Sequence, residues 1–259
     1  MDGTAVAIGE TIHAGFAAVR PSLRRCWAAL ASGLLLSITG ALIGEHGPVL
    51  AILLEMAAAT LVYGALYRDA FGRAPGWRGL RWGMDEMRVL ASHLLIGVLM
   101  ALISAVLFIV VGAVALGVAR ANNPNFDGAS TESWREALSG PGAVVVGTVP
   151  VLCVILLVWV AMRLALSPAA SVDEGRVRVL SAFDLTRGLV PKLFVSLVAL
   201  ILPLVAAALA AGVLQSLAGG PVVGIDILVS AAVYFYFAPA WVGALVHVYR
   251  RRRPLVETL

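Results

Sequence analysis

The sequence predicts an all-α polytopic membrane protein: six transmembrane helices paired as three hairpins, each hairpin preceded by a cytoplasmic interfacial amphipathic helix. Three observations predict it. Of 259 residues, 61% are hydrophobic and 13% charged, with a mean hydropathy of +0.95, far above a soluble domain. Apolar runs long enough to cross a bilayer recur six times. All but two of the 19 Arg and Lys residues fall in alternate connections between those runs.

The elements follow in order. Ile8, Ile12, Phe16 and Val19 share one helical face, and Arg20-Pro21 ends this first amphipathic helix. The apolar run starts too late for a cleavable signal peptide. Span one covers about 26–44, a turn at 44–48 reverses the chain, and span two covers about 48–66. A polar elbow at 68–88 leads into a long apolar run near 89–118, which either tilts or includes the end of the elbow helix. In the hydrophilic connection 119–142, residues 122–125 mark a turn and Ser130 caps a short helix carrying Trp134 and Leu138. Span four is about 143–162, with Pro150 inside. A second elbow precedes span five, about 193–214, interrupted at Pro203. Gly219-Gly220-Pro221 then turns the chain into span six, about 222–249, kinked at Pro239.

The basic residues orient this plan. Arg120 and Arg135 occupy one side, while the other 17 flank the first span, fill both elbows or form the tail. The positive-inside rule therefore puts both termini and both elbows in the cytoplasm of a bacterial inner membrane. The partners expected are anionic lipid head groups at that face, with a protein partner or second copy beyond them; nucleic acid is not expected. Arg so outnumbers Lys, which occurs once at Lys192, that the composition points to a GC-rich bacterial genome.

The elbows repeat. Residues 171–188 read as a helix with a Ser171/Glu174 capping box and Gly188 beyond its end. Shifted by 99 residues, Gly76 meets Gly175, Leu80 meets Val179, Asp85 meets Asp184 and Arg88 meets Arg187. Arg20 fills the Arg position in a looser N-terminal copy. Three pseudo-repeats, about 4–68, 76–163 and 171–250, make up a single integral domain over 1–259. Trp77, Leu80, Met84 and Met87 in one elbow, and Val172, Val179, Leu180 and Phe183 in the other, form the apolar faces expected to meet the membrane.

Five residues stand out as candidates. Glu55 lies 13 residues from Arg68, about 20 Å of helix inside the cytoplasmic interface. A carboxyl at that depth is either a proton or cation site or a hydrogen-bonded tie to Ser37 or Thr39, and the tie is the reading preferred. Asp85/Arg88 and Asp184/Arg187 are i,i+3 ion pairs, suited to fastening an elbow or to binding a lipid phosphate. His93 and His247, near inner span ends, read as structural more than as proton carriers, and Asp226 as interfacial. The aromatic run 234–237 suits packing. Cys26 and Cys153 read as small apolar residues without disulfide or metal spacing. No P-loop, H-E-x-x-H or G-x-S-x-G is present, and no cofactor, metal or catalytic residue is expected.

The run Arg163-Leu-Ala-Leu-Ser-Pro-Ala-Ala, then Asp173-Glu-Gly, then Ser181-Ala-Phe-Asp-Leu-Thr-Arg-Gly188, resembles a signature of YciC-like bacterial inner-membrane proteins and of the membrane domain of glycerophosphodiester phosphodiesterases. The close likeness covers about 26 residues, with the six-span plan extending it. It implies the architecture and carries no chemistry; the soluble phosphodiesterase barrel has no stretch to occupy. The function expected is non-enzymatic: membrane organisation, lipid interaction or an accessory role in a membrane complex. The alternative is a small transporter or channel with Glu55 in its path.

Overall fold

The computed structural model describes residues 6–44, 47–73, 76–123, 126–137, 141–217, 219 and 223–256. Among them the chain is helical, without strands; Trp77 and Leu80 make an isolated antiparallel bridge. In order come α1 (Ile8–Arg25), α2 (Trp27–Ile43), α3 (Pro48–Ala70), α4 (Met84–Asn122), α5 (Thr131–Ala137), α6 (Pro141–Leu164), α7 (Ser167–Asp173), α8 (Ala182–Leu185), α9 (Val190–Leu217), α10 (Val223–Ala232), a π-helical turn (Val233–Phe237) and α11 (Ala238–Val256). Five helical stretches are long and apolar enough to cross a membrane, and a sixth if α1 and α2, bent by 91° at Cys26, form one broken span. This is the helix content of a multi-pass membrane protein. Expected features at residues 45–46, 74, 124–125, 138 and 220–222, and in the last three residues, lie outside the described residues, as does the Asp226 side chain.

The contacts divide into two compact units, Met1–Leu94 with Arg163–Leu259, and Leu95–Met162. In the first, α2 and α3 form a hairpin whose register follows from its turn: Gly33 faces Val62, Gly40 faces Ala51, and the Cys26 thiol lies 3.7 Å from the Ala65 carbonyl. Helix α1 packs on α11 and α9. Its Gly15 admits no side chain, because a Cβ there would sit 2.8 Å from the Ala240 carbonyl, and Gly243 lies as closely against Ala14 and Ala18. Buried Leu200, Ala240 and Ala244 form the core there, with Ile12, Val19 and Trp241 packed around them.

The prolines act differently from one another. Helix α1 was expected to stop at Pro21 but runs through it to Arg25, forgoing the bond to the carbonyl of the exposed Ala17. Helix α9 is continuous through Pro203, and the Tyr236 hydroxyl donates to the Leu200 carbonyl at 2.8 Å, one turn before that proline. Ahead of Pro239 the helix widens into the π-turn, where the Ala238 N–H reaches the Val233 carbonyl, and so the proline ring is accommodated.

Neither elbow is the continuous amphipathic helix predicted. Gly76, Arg78 and Gly79 have φ of 71°, 50° and 88°, which no right-handed helix admits, and α4 starts only at Met84. In the second elbow α7 ends at Asp173, Gly175 turns the chain at φ 71°, and α8 holds four residues. Ser171 lies inside α7 and so caps nothing, and Glu174 pairs with Arg178 instead. Val172 and Val179 are buried in the protein and cannot face a membrane, whereas Trp77, Met84 and Leu180 are exposed.

The second unit joins the part of α4 from Leu95 onward to α5 and α6. As the sequence suggests, Ser130 Oγ accepts the Ser133 N–H at 3.3 Å at the start of α5, and Trp134 packs edge-on to Phe126.

Candidate functional site

The elbows are built from buried polar contacts. Arg68, at the end of α3, reaches the Gly79 carbonyl (3.0 Å), the Arg81 carbonyl (3.4 Å) and the Glu86 carboxylate. Glu86 also accepts the Gly83 N–H at 2.8 Å. Both charges are withdrawn from solvent, at 3% and 0% exposure, so each depends on the other for its stability there. In the second elbow Ser167 donates to the Arg178 carbonyl (2.6 Å) and Ser171 accepts the Arg178 N–H (2.9 Å) while bonding Ser92 (2.9 Å). Arg68 and Ser167 are 99 residues apart, as are Gly79 and Arg178. In each elbow a side chain near the end of the preceding apolar helix donates to an elbow carbonyl, and the side chains differ.

The sequence candidates separate here. Asp85 and Arg88 pair at 2.7 Å, and Asp85 also accepts from Arg73 at 2.8 Å. Arg73 reaches on to the Asp173 carbonyl at 3.2 Å, which ties the two elbows together. Asp184 and Arg187 do not pair: α8 ends at Leu185, so helical i,i+3 geometry is lost, and only the Arg187 N–H meets the Asp184 carbonyl (3.2 Å). Asp184 instead lines a cavity of about 630 Å³ with Arg176, Arg178, Ser181, Tyr249 and Arg253. Glu174 lines it too, accepting from Arg178 at 2.6 Å. Asp173 takes Arg253 at 2.5 Å and the Tyr249 hydroxyl at 3.0 Å. In the sequence Tyr249-Arg250 reads only as a span end like Tyr67-Arg68, and nothing in the tail's run of arginines marks Arg253 as the one that turns back to an elbow.

Further contacts gather basic residues around these elbows. Arg25 meets Asp69 at 3.4 Å, Arg250 donates to the Ala70 carbonyl at 2.6 Å, Arg252 to the Arg187 carbonyl at 2.8 Å, and Lys192 to the Val6 carbonyl at 3.0 Å. Arg78 stacks over Trp27, and Arg163 over Phe183, each 5.1 Å from the ring centre.

Glu55 lies elsewhere, on α3. Ser37 of α2 donates to its Oε1 at 2.6 Å, and the Tyr234 hydroxyl, on the π-turn, stands 3.5 Å from Oε2. Thr39 turns back to the Leu35 carbonyl. Three helical elements therefore converge on one carboxyl. Among the described residues no group of three His, Cys, Asp or Glu is placed to hold a metal. Compared with protein families, with curated proteins and with solved structures, the chain matches none, so its function is argued from this geometry.

Proposed function

We propose that this is a non-enzymatic multi-pass protein of a bacterial inner membrane, with cytoplasmic termini and elbows, whose elbows bind phospholipid head groups and organise lipid or seat a partner protein. The observation that carries the reading is the elbow cavity, where Arg176, Arg178 and Arg253 stand beside Tyr249, their N–H donors shared with Glu174 and Asp173, and with Asp184 also in the lining. Arginine is the side chain suited to bidentate phosphate contact. The exposed Trp77 and Trp82 of the first elbow and Leu180 of the second are residues suited to a lipid–water boundary. The resemblance of residues 163–188 to YciC-like proteins fits the same architecture. Spin labels at 82 and 180 are expected to be shielded from aqueous relaxation agents and open to oxygen in the bilayer, with labels at 176 and 187 the reverse. Four equally aqueous positions would remove the reading.

One observation favours a transporter as the second reading: the carboxyl of Glu55, bonded to Ser37, sits against a π-turn, and such turns concentrate at functional sites. Glu55→Gln preserves shape and hydrogen bonding, so unchanged thermal stability is expected. Abolished ion flux in proteoliposomes with that stability intact would promote the transporter over the headgroup reading.

A further inference from the structure

A second cavity, of about 590 Å³, opens between α1 and α11. Ala17, Ala18, Gly243 and Val246 give it small, apolar walls. Arg250 and Arg251 make its other end cationic beside the His247 imidazole, with the Glu10 carboxylate reaching Arg251 from the edge at 3.1 Å. From Gly243 to Arg251 the helix rises about 12 Å, so the cavity grades from apolar to basic along α11. The cavity follows from the crossing beside it. Gly15 and Gly243 bring the two backbones together, and the short alanines nearby cannot fill what remains.

The basic end is engaged only in part. Arg250 donates to the Ala70 carbonyl at 2.6 Å and lies over the Phe71 ring, and Arg251 meets Glu10 at 3.1 Å. A guanidinium has five N–H donors, so each retains capacity for an anion. The His247 Nε2 is buried and finds no hydrogen-bond partner among the described residues, Glu10 Oε2 being 4.0 Å away. A buried imidazole nitrogen left without a partner calls for one. An anionic oxygen bearing an apolar chain suits this arrangement: charge for the arginines, an acceptor for the imidazole in its Nε2–H tautomer, hydrocarbon for the alanines.

We infer that this slot binds one anionic phospholipid, with its phosphate at His247, Arg250 and Arg251 and an acyl chain along Ala17, Ala18 and Val246. The site shares no residue with the elbow cavity, and its test stands apart from the elbow reading. Histidine-labelled protein in phosphatidylcholine nanodiscs is titrated with phosphatidylglycerol, the His247 imidazole signal being assigned by its loss in His247→Gln. The expected result is a shift of that signal with phosphatidylglycerol and none with further phosphatidylcholine. Ala17→Leu fills the slot from an exposed position on α1, clear of the glycine crossing. It should abolish the shift and cut phosphatidylglycerol retained in native mass spectra by about tenfold, at unchanged melting temperature. Arg176→Gln in the elbow should leave the shift intact. An unmoved His247 signal in the unaltered protein overturns the inference whether or not the leucine variant folds. A shift produced equally by a fatty acid overturns the phospholipid assignment.

Discussion

Arg68 and Glu86 show what a single buried pair does for this fold. The Arg68 guanidinium reaches two carbonyls of the first elbow as well as the Glu86 carboxylate, so the pair holds that elbow against the end of α3. Removing one partner strands the other charge in a buried site, a loss on the order of 3–5 kcal/mol. Glu86→Gln and Arg68→Met should each lower the thermal stability of the detergent-purified protein by that much. The double variant Arg68→Met/Glu86→Leu should lose clearly less than the sum; additive losses would mean the two charges are not coupled. This pair was not legible in the sequence, where Arg68 reads as a span end and Glu86 as one more acid in a polar stretch. Their meeting depends on three left-handed residues between them, at 76, 78 and 79. Ser37 and Glu55 were legible because one hairpin turn lies midway between them, and that turn sets which residues of α2 and α3 face each other.

At the scale of elements, glycine decides what the hydropathy pattern cannot. Gly76 and Gly175 share a φ of 71°, so the offset matched two turns where it appeared to match two helices. Periodicity of apolar residues cannot see a left-handed backbone, and Val172 and Val179 turn inward as a result. The crossing of α1 with α11 was equally hidden, because small-residue spacings are frequent in alanine-rich spans and only the pairing of Gly15 with Gly243 gives one of them meaning. Two substitutions of the same kind should therefore differ in sign. Gly243→Ala forces a methyl against Ala18 and to 3.1 Å from the Ala14 carbonyl, an overpacking cost of roughly 1–3 kcal/mol. Gly97→Ala in α4 meets nothing within 4 Å and gains helix propensity, so stability should hold or rise by about 0.5–1 kcal/mol. Melting temperatures of the two variants in one detergent check both; similar values would mean that the α1–α11 crossing is looser than its geometry.

Across the whole molecule, the positions of the spans were the most legible feature, since a bilayer's thickness imposes a length on every apolar run. The division into two units was not, because it depends on which helices touch, whereas the 91° bend at Cys26 falls where the sequence places the start of span one after an amphipathic helix. Orientation is the remaining large-scale property, and it rests on charge. All 17 basic residues outside 95–162 belong to the first unit, where Arg25, Arg73, Arg250, Arg252 and Arg253 reach helix ends and elbows. The second unit carries Arg120 and Arg135 with Asp127, Glu132 and Glu136. Many of the 17 are in ion pairs, but acidic partners count little in setting topology, so the pairs do not cancel the bias. Each Arg near an anionic leaflet contributes on the order of 1 kcal/mol, which favours holding the elbows, and not the 119–142 connection, on the cytoplasmic side. Arg176→Cys and Ala129→Cys, each at an exposed position in a variant lacking Cys26 and Cys153, report this directly. An impermeant thiol reagent applied to intact cells should label position 129 at once and position 176 only after the membrane is permeabilised. Labelling of 176 from outside would invert the protein, set its guanidiniums against the leaflet poorer in anionic lipid, and remove the electrostatic basis for headgroup binding at the elbows.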